Sequence, residues 1–189
     1  KFLLTKNGVD LPKNLLPYQK RSKKHILFLG RIEVDQKGLD TLISAYSSAK
    51  DVVSLPLVIA GGGEYSELEK LKKIIKDHNI QDRVKLVGRV SGKEKDWYLK
   101  HASMVVIPSR YETFSITALE AISYCVPLIC GNISGMKWVP KGDALKFTPG
   151  SSDCLVDKIT KLLKDTKLQE EMTRSQSSTA SRFDWDKVT

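Results

Sequence analysis

The stretch 104–132, MVVIPSRYETFSITALEAISYCVPLICGN, narrows the choice of fold more than any other part of the chain. It opens on an apolar strand, MVVIPS, closes on another, VPLIC, and the segment between them reads as a helix. The same alternation runs through the rest of the sequence. Residues 25–32, HILFLGRI, read as a buried strand. A polar loop ending in Lys37-Gly38 leads from it to a helix over 39–50, with Leu39, Leu42, Ile43 and Tyr46 at helical spacing. Residues 56–63, PLVIAGGG, form a strand stopped by glycines, and 65–79 a charged helix with Leu68, Leu71, Ile74 and Ile75 on one face. A strand at 84–88, a short helix at 94–102, a strand at 144–148 and one long helix over 153–172 follow from the same patterns. Six strands alternating with helices predict parallel pairing and right-handed crossovers. The expected fold is α/β, a doubly wound parallel sheet of Rossmann-like type with strand order 3-2-1-4-5-6. At 189 residues the chain suits one sizeable domain, expected over 25–189, with 1–24 as a turn-rich linker.

Charge is unevenly placed. Of the net +9, residues 1–24 supply +6, with seven Lys or Arg against one Asp. This leading segment is either a solvated linker or a basic patch for phosphates, those of a nucleotide or of an anionic membrane surface. Elsewhere the lysines alternate with Glu and Asp, and no zinc-finger or RRM signature occurs, so nucleic acid is not an expected partner. No apolar run approaches the roughly 18–20 residues of a membrane span, and Phe2-Leu3-Leu4 is too short for the core of a signal peptide. The sequence begins without methionine, so a piece of something longer is expected. Cys125, Cys130 and Cys154 form no CxxC pair and suit a reducing, cytoplasmic compartment. His25, His78 and His101 are isolated, and nothing has metal-ligand spacing.

Several motifs fail on inspection. Gly61-Gly62-Gly63-Glu64-Tyr65-Ser66 is a near miss for the dinucleotide fingerprint, but the next strand ends Val87-Gly88-Arg89, without the acid that grips a ribose. GRVSGK over 88–93 is one residue short of a P-loop and lacks the Ser or Thr after its lysine. Asp184-Trp185-Asp186 spells a DxD with no strand before it, which reads as an acidic helix start.

What remains is positional. Arg31 and Lys37 leave the first strand, and Glu112 and Glu120 flank the helix after the fourth. In a doubly wound sheet these strands are neighbours at the topological switch, where ligands bind, so two cations and two anions would face one crevice. Arg31 can fork onto a diphosphate, Lys37 acts as a point charge, and the amides of Phe114, Ser115 and Ile116 would add a helix's positive end. A carboxylate accepts two hydroxyls at once, which suits a ribose diol or a hexose. A plainer reading of the same residues makes Glu112 a helix cap and Glu120 a half-exposed surface residue.

At these residues the chain resembles the C-terminal half of a GT-B glycosyltransferase of the retaining family four. The family's Glu-x7-Glu appears as ETFSITALE, from Glu112 to Glu120, and its arginine and lysine as Arg31 and Lys37 within GRIEVDQKG. NGVD at 7–10, VIAGGGE, LVGRVS and AISYCVPLI add to the match. The resemblance implies a domain that binds a nucleotide-sugar donor without a metal or other cofactor. Glu120 would hold the ribose, Arg31 after Gly30 and Lys37 the diphosphate, Glu112 would lie by the reacting hexose, and Val90 would line the base. Transfer would retain anomeric configuration, onto a glycan or lipid-linked acceptor bound by an N-terminal domain absent here, so this chain alone would not turn over. Three positions depart from the family pattern: Ser115 for a usual Gly, Cys125 for the Gly that ends the helix, and Trp138 for a frequent Glu. Alternatives are a GT-B epimerase of UDP-sugars and a non-catalytic module that scaffolds a membrane complex.

Overall fold

The computed structural model describes residues 7–13, 15 and 17–185. Six strands form a single sheet: β1 His25–Leu29, β2 Leu57–Ala60, β3 Val84–Gly88, β4 Ala102–Ile107, β5 Leu128–Gly131 and β6 Leu145–Phe147. Their order is β3-β2-β1-β4-β5-β6, with every pair parallel. This is the doubly wound, Rossmann-like order expected from the alternation of patterns. β2 and β4 are buried along their whole length, as strands covered on both faces must be.

Among the described residues seven α-helices cover the sheet: α1 Val34–Lys37, α2 Leu39–Ser48, α3 Tyr65–Asp77, α4 Gly92–His101, α5 Ile116–Ser123, α6 Ser152–Lys164 and α7 Thr166–Ala180. Strand periodicity sorts the core into two layers. Ile26, Phe28, Met104 and Val106 pack with Leu42, Leu71 and Ile159 of α2, α3 and α6. Leu27, Val105, Ile107 and Leu128 point the other way and pack with Leu99 of α4 and Ala118 and Ile122 of α5.

Three expectations need correcting. The single helix over 153–172 is two, because Asp165 turns its carboxylate back on the chain and accepts the Leu168 amide at 2.9 Å, an N-cap that starts α7. Helix α7 then continues to Ala180, past the expected helix end at residue 172. The polar loop before Gly38 contains the short helix α1, whose Val34 amide donates to Glu67 Oε2 at 2.5 Å. Asp186 of the DxD triplet and residues 1–6 of the basic segment lie outside the described residues.

From Tyr18 the leading segment lies against the domain. Tyr18 is buried and donates to the Ser103 carbonyl at 2.5 Å. Beside it, His25 opens β1 with its ring buried between Trp97 and Tyr98, and Nε2 donates to the Tyr98 carbonyl at 3.0 Å. Burial, opposed by that bond and aided by nearby His101, Lys24 and Lys85, lowers its pKa to about 4. No helix among the described residues is long and apolar enough to cross a membrane.

Candidate functional site

At the carboxyl ends of β1, β2 and β3 lies a cleft of about 490 Å³. Its walls are the loops that leave those strands and the first turns of α4 and α5. Gly30, Arg31, Gly62, Val90, Lys95 and Glu120 line it, with Arg89 and Thr117. The cleft sits beside the β1–β4 junction, where successive crossovers diverge to opposite sides and leave the strand ends uncovered. A larger hollow of about 770 Å³ lies away from the strand ends, between Tyr18, Arg21 and the α7 residues Thr173 and Arg174.

Backbone approach gives the cleft its shape. A Cβ on Gly61 would sit 1.7 Å from the Gly30 carbonyl oxygen, so the β1 and β2 loops touch main chain to main chain. Gly38 has φ +64°, and a Cβ there would lie 2.2 Å from the Pro108 oxygen. That contact seats the end of α1 against the loop after β4. Arg110 locks the same junction: its guanidinium forks onto Asp40 at 2.8 and 2.7 Å and donates to the Asp35 carbonyl at 2.7 Å. Burial opposes the charged form of Asp40, but Arg110 outweighs it and holds the carboxyl below its ordinary range.

Helix α5 begins at this junction. Ser115 is its N-cap, accepting the Ala118 amide on Oγ at 3.2 Å, so Glu112 is not the cap. The amides before Ala118 remain at the helix's positive end, beside the cleft residue Thr117. Thr117 Oγ1 donates to the Leu29 carbonyl at 3.0 Å and pins α5 to the tip of β1. Ile116 is exposed, and Phe114 stacks on Trp138 with centroids 4.6 Å apart. Trp138 thus buttresses the start of α5 and does not line the cleft. At the far end Cys125 has φ +48°, and the Cys125 and Val126 amides return to Ile122 and Ala121. This is a Schellman close with cysteine in the left-handed position that glycine ordinarily fills.

The four charged residues singled out from sequence do not share one crevice. Arg31 and Glu120 line the cleft, Arg31 with its side chain 62% exposed and 3.1 Å from Glu33. Lys37 and Glu112 instead pair with each other at 2.7 Å, 15% and 13% exposed, and Ser109 Oγ adds a bond to the same Glu112 oxygen at 2.9 Å. Glu120 is also paired, with Lys95 Nζ 2.5 Å away. Lys95, Arg89, Thr117 and Ser109 escaped the sequence reading. Arg89 directly precedes Val90 and Lys95 stands in the first turn of α4, so weighing every charge from the end of β3 into that turn, and not the glycines alone, would have found them.

Residues 17–178 match the model of the family described as Glycosyl transferases group 1. The chain belongs to that family. Among group 1 relatives, it is 30% identical to the 2-deoxystreptamine N-acetyl-D-glucosaminyltransferase of Niallia circulans, over 85% of this chain and 42% of that protein. Its fold is similar to that of Anabaena HepE, solved in complex with UDP-glucose, at TM-score 0.80 and 22% identity, covering 88% of this chain and 46% of that one. It is also similar to the C-terminal domain of a group 1 glycosyl transferase, LpcC, from Francisella tularensis, at TM-score 0.77 and 20% identity, covering 94% and 100%. The fold these neighbours share with the chain is the Rossmann-like half of a GT-B architecture. The chain spans less than half the length of the first curated relatives it matches, 43% and 42%. The group 1 family and its transferase relatives do not favour the epimerase alternative.

Proposed function

We propose that this domain holds the nucleotide-sugar donor of a hexosyltransferase. The observation that carries the reading is the cleft itself, where a carboxylate, Glu120 on α5, and a cationic fork, Arg31 in the loop after β1, line one hollow at the switch point. The complex of HepE, whose fold this chain shares, with UDP-glucose supports the reading. Glu120 accepts the ribose hydroxyls, Gly30 gives the diphosphate close backbone approach, and Val90 lines the base. Arg31 and the first turn of α5, through Phe114, Ser115 and Ile116, receive the diphosphate. Lys37 reaches it from beside Glu112, which takes one of its three N–H groups.

When the bond from the anomeric carbon to the diphosphate breaks, negative charge grows on the leaving oxygen. Fixed cations and a helix N-terminus are placed for that charge, so the reading needs no metal. Glu112 lies by the donor hexose, and the transfer retains configuration, with no protein nucleophile assigned. A glycan or lipid-linked acceptor binds to the remainder of the enzyme, so the 189-residue chain alone is inactive. Residues 1–24 join the two halves, and their basic side chains fit a cytoplasmic protein resting on an anionic membrane face.

Calorimetric titration of the chain with UDP- and GDP-sugars tests this. Binding at sub-millimolar concentration is expected, and Glu120→Ala should weaken it about 10- to 100-fold, the worth of one charged hydrogen-bonded group. Equal binding by wild type and variant would remove Glu120 from the ribose.

A further inference from the structure

Glu120, the carboxylate read above as holding the ribose, already has a partner within the fold. Lys95 Nζ sits 2.5 Å from Glu120 Oε1, with the two side chains 33% and 15% exposed. The fold does not require a cation there. Helix α4 anchors itself through Leu99, and Lys95, one turn earlier on the same face, extends that stripe outward into the cleft. An ammonium has three N–H donors, so two remain after Glu120 is served. With Arg31 and Arg89, Lys95 makes three cations against one carboxylate in the cleft.

We propose that Lys95 is a specificity-determining residue that exchanges partners when the donor arrives. This rests on the donor-site reading above. A nucleoside diphosphate brings its own anion, and the ammonium turns from Glu120 to a phosphate oxygen while the freed carboxylate closes on the ribose diol. Both charges stay paired throughout. A nucleoside without phosphate offers the ammonium nothing, and claiming Glu120 would strand Lys95 in a half-buried site. The residue thereby makes the ribose contact conditional on phosphate.

The test compares uridine, guanosine and adenosine with their diphosphates on the 189-residue chain, on Lys95→Met and on Lys95→Arg, with thermal melts to confirm folding. Calorimetry reads the diphosphates and ligand-observed NMR the nucleosides. For the base the wild type binds best, Lys95→Met should lose about tenfold in diphosphate affinity, the loss of one charged hydrogen bond. Nucleoside affinity should hold or rise, and Lys95→Arg should keep the wild-type ratio. An unchanged ratio in Lys95→Met overturns the exchange. If both ligands weaken together, Lys95 only positions Glu120; if neither moves, it has no part in binding. A wild-type chain that binds no diphosphate at millimolar concentration would sink the donor-site reading, and this inference with it.

Discussion

The two glutamates of the α5 region are each held by a lysine, yet the two pairs differ in kind. Lys37 and Glu112 are nearly enclosed and tied in by Ser109, at a junction that Gly38 and Arg110 already lock. Lys95 and Glu120 stand at an open wall, and no third side chain is bonded to that carboxylate among the described residues. An enclosed pair is costly to break, because the surviving charge is left without water or partner. A half-buried pair whose lysine stays open to water on one side contributes less to stability and exchanges more readily. The first is therefore architecture, and the second stands in the wall of the cleft.

The sharpest way to break this comparison is to remove each carboxylate and measure stability. Glu112→Ala should lower the unfolding free energy in urea by about 3 kcal/mol, since Lys37 stays buried and unpaired. Glu120→Ala should cost less than about 1 kcal/mol while abolishing most nucleotide binding. Equal losses from the two variants would contradict the distinction.

Acid offers a second large effect, and it sets the pH at which the comparison must be made. The folded pKa of His25, about 4, lies below the ordinary value of 6.5. Between those limits the unfolded chain binds a proton that the folded chain refuses. Stability is thus complete above pH 6.5 and falls as pH drops toward 4, by on the order of 3 kcal/mol. Urea midpoints across this window should show the fall, and His25→Gln should flatten it.

The smallest predicted effect serves as a control. Cys125→Gly relieves a left-handed backbone at the far end of α5 and should stabilise by about 1 kcal/mol. Nucleotide affinity should stay unchanged, because tightening α5 leaves the Glu120–Lys95 pair as it was. A change in affinity would mean that the end of α5 is coupled to its start.

The sheet was legible because each strand is an isolated apolar run bounded by turn residues, and parallel order follows from strict alternation. Arg31 and Glu120 were legible because strand ends beside a switch point are few. The break at Asp165 was not, since Leu162, Leu163 and Leu168 keep an apolar face on both sides of a capping residue. The partners Lys37–Glu112 and Lys95–Glu120 were hidden for another reason. They lie 75 and 25 residues apart, and which lysine reaches which carboxylate depends on loop geometry that periodicity does not encode.

The main-chain contacts at Gly61 and Gly38 carry one more consequence. The Gly61 and Gly30 main chains meet beside the cleft, so that part of its outline is backbone; of the side chains that supply its charge, Arg89 packs over Gly62 and shares in the outline. At the backbone part, outline and charge are separately adjustable. Lys95 or Arg31 can be exchanged without moving that main-chain contact, whereas any side chain larger than hydrogen at Gly61 or Gly38 would have to push two loops apart.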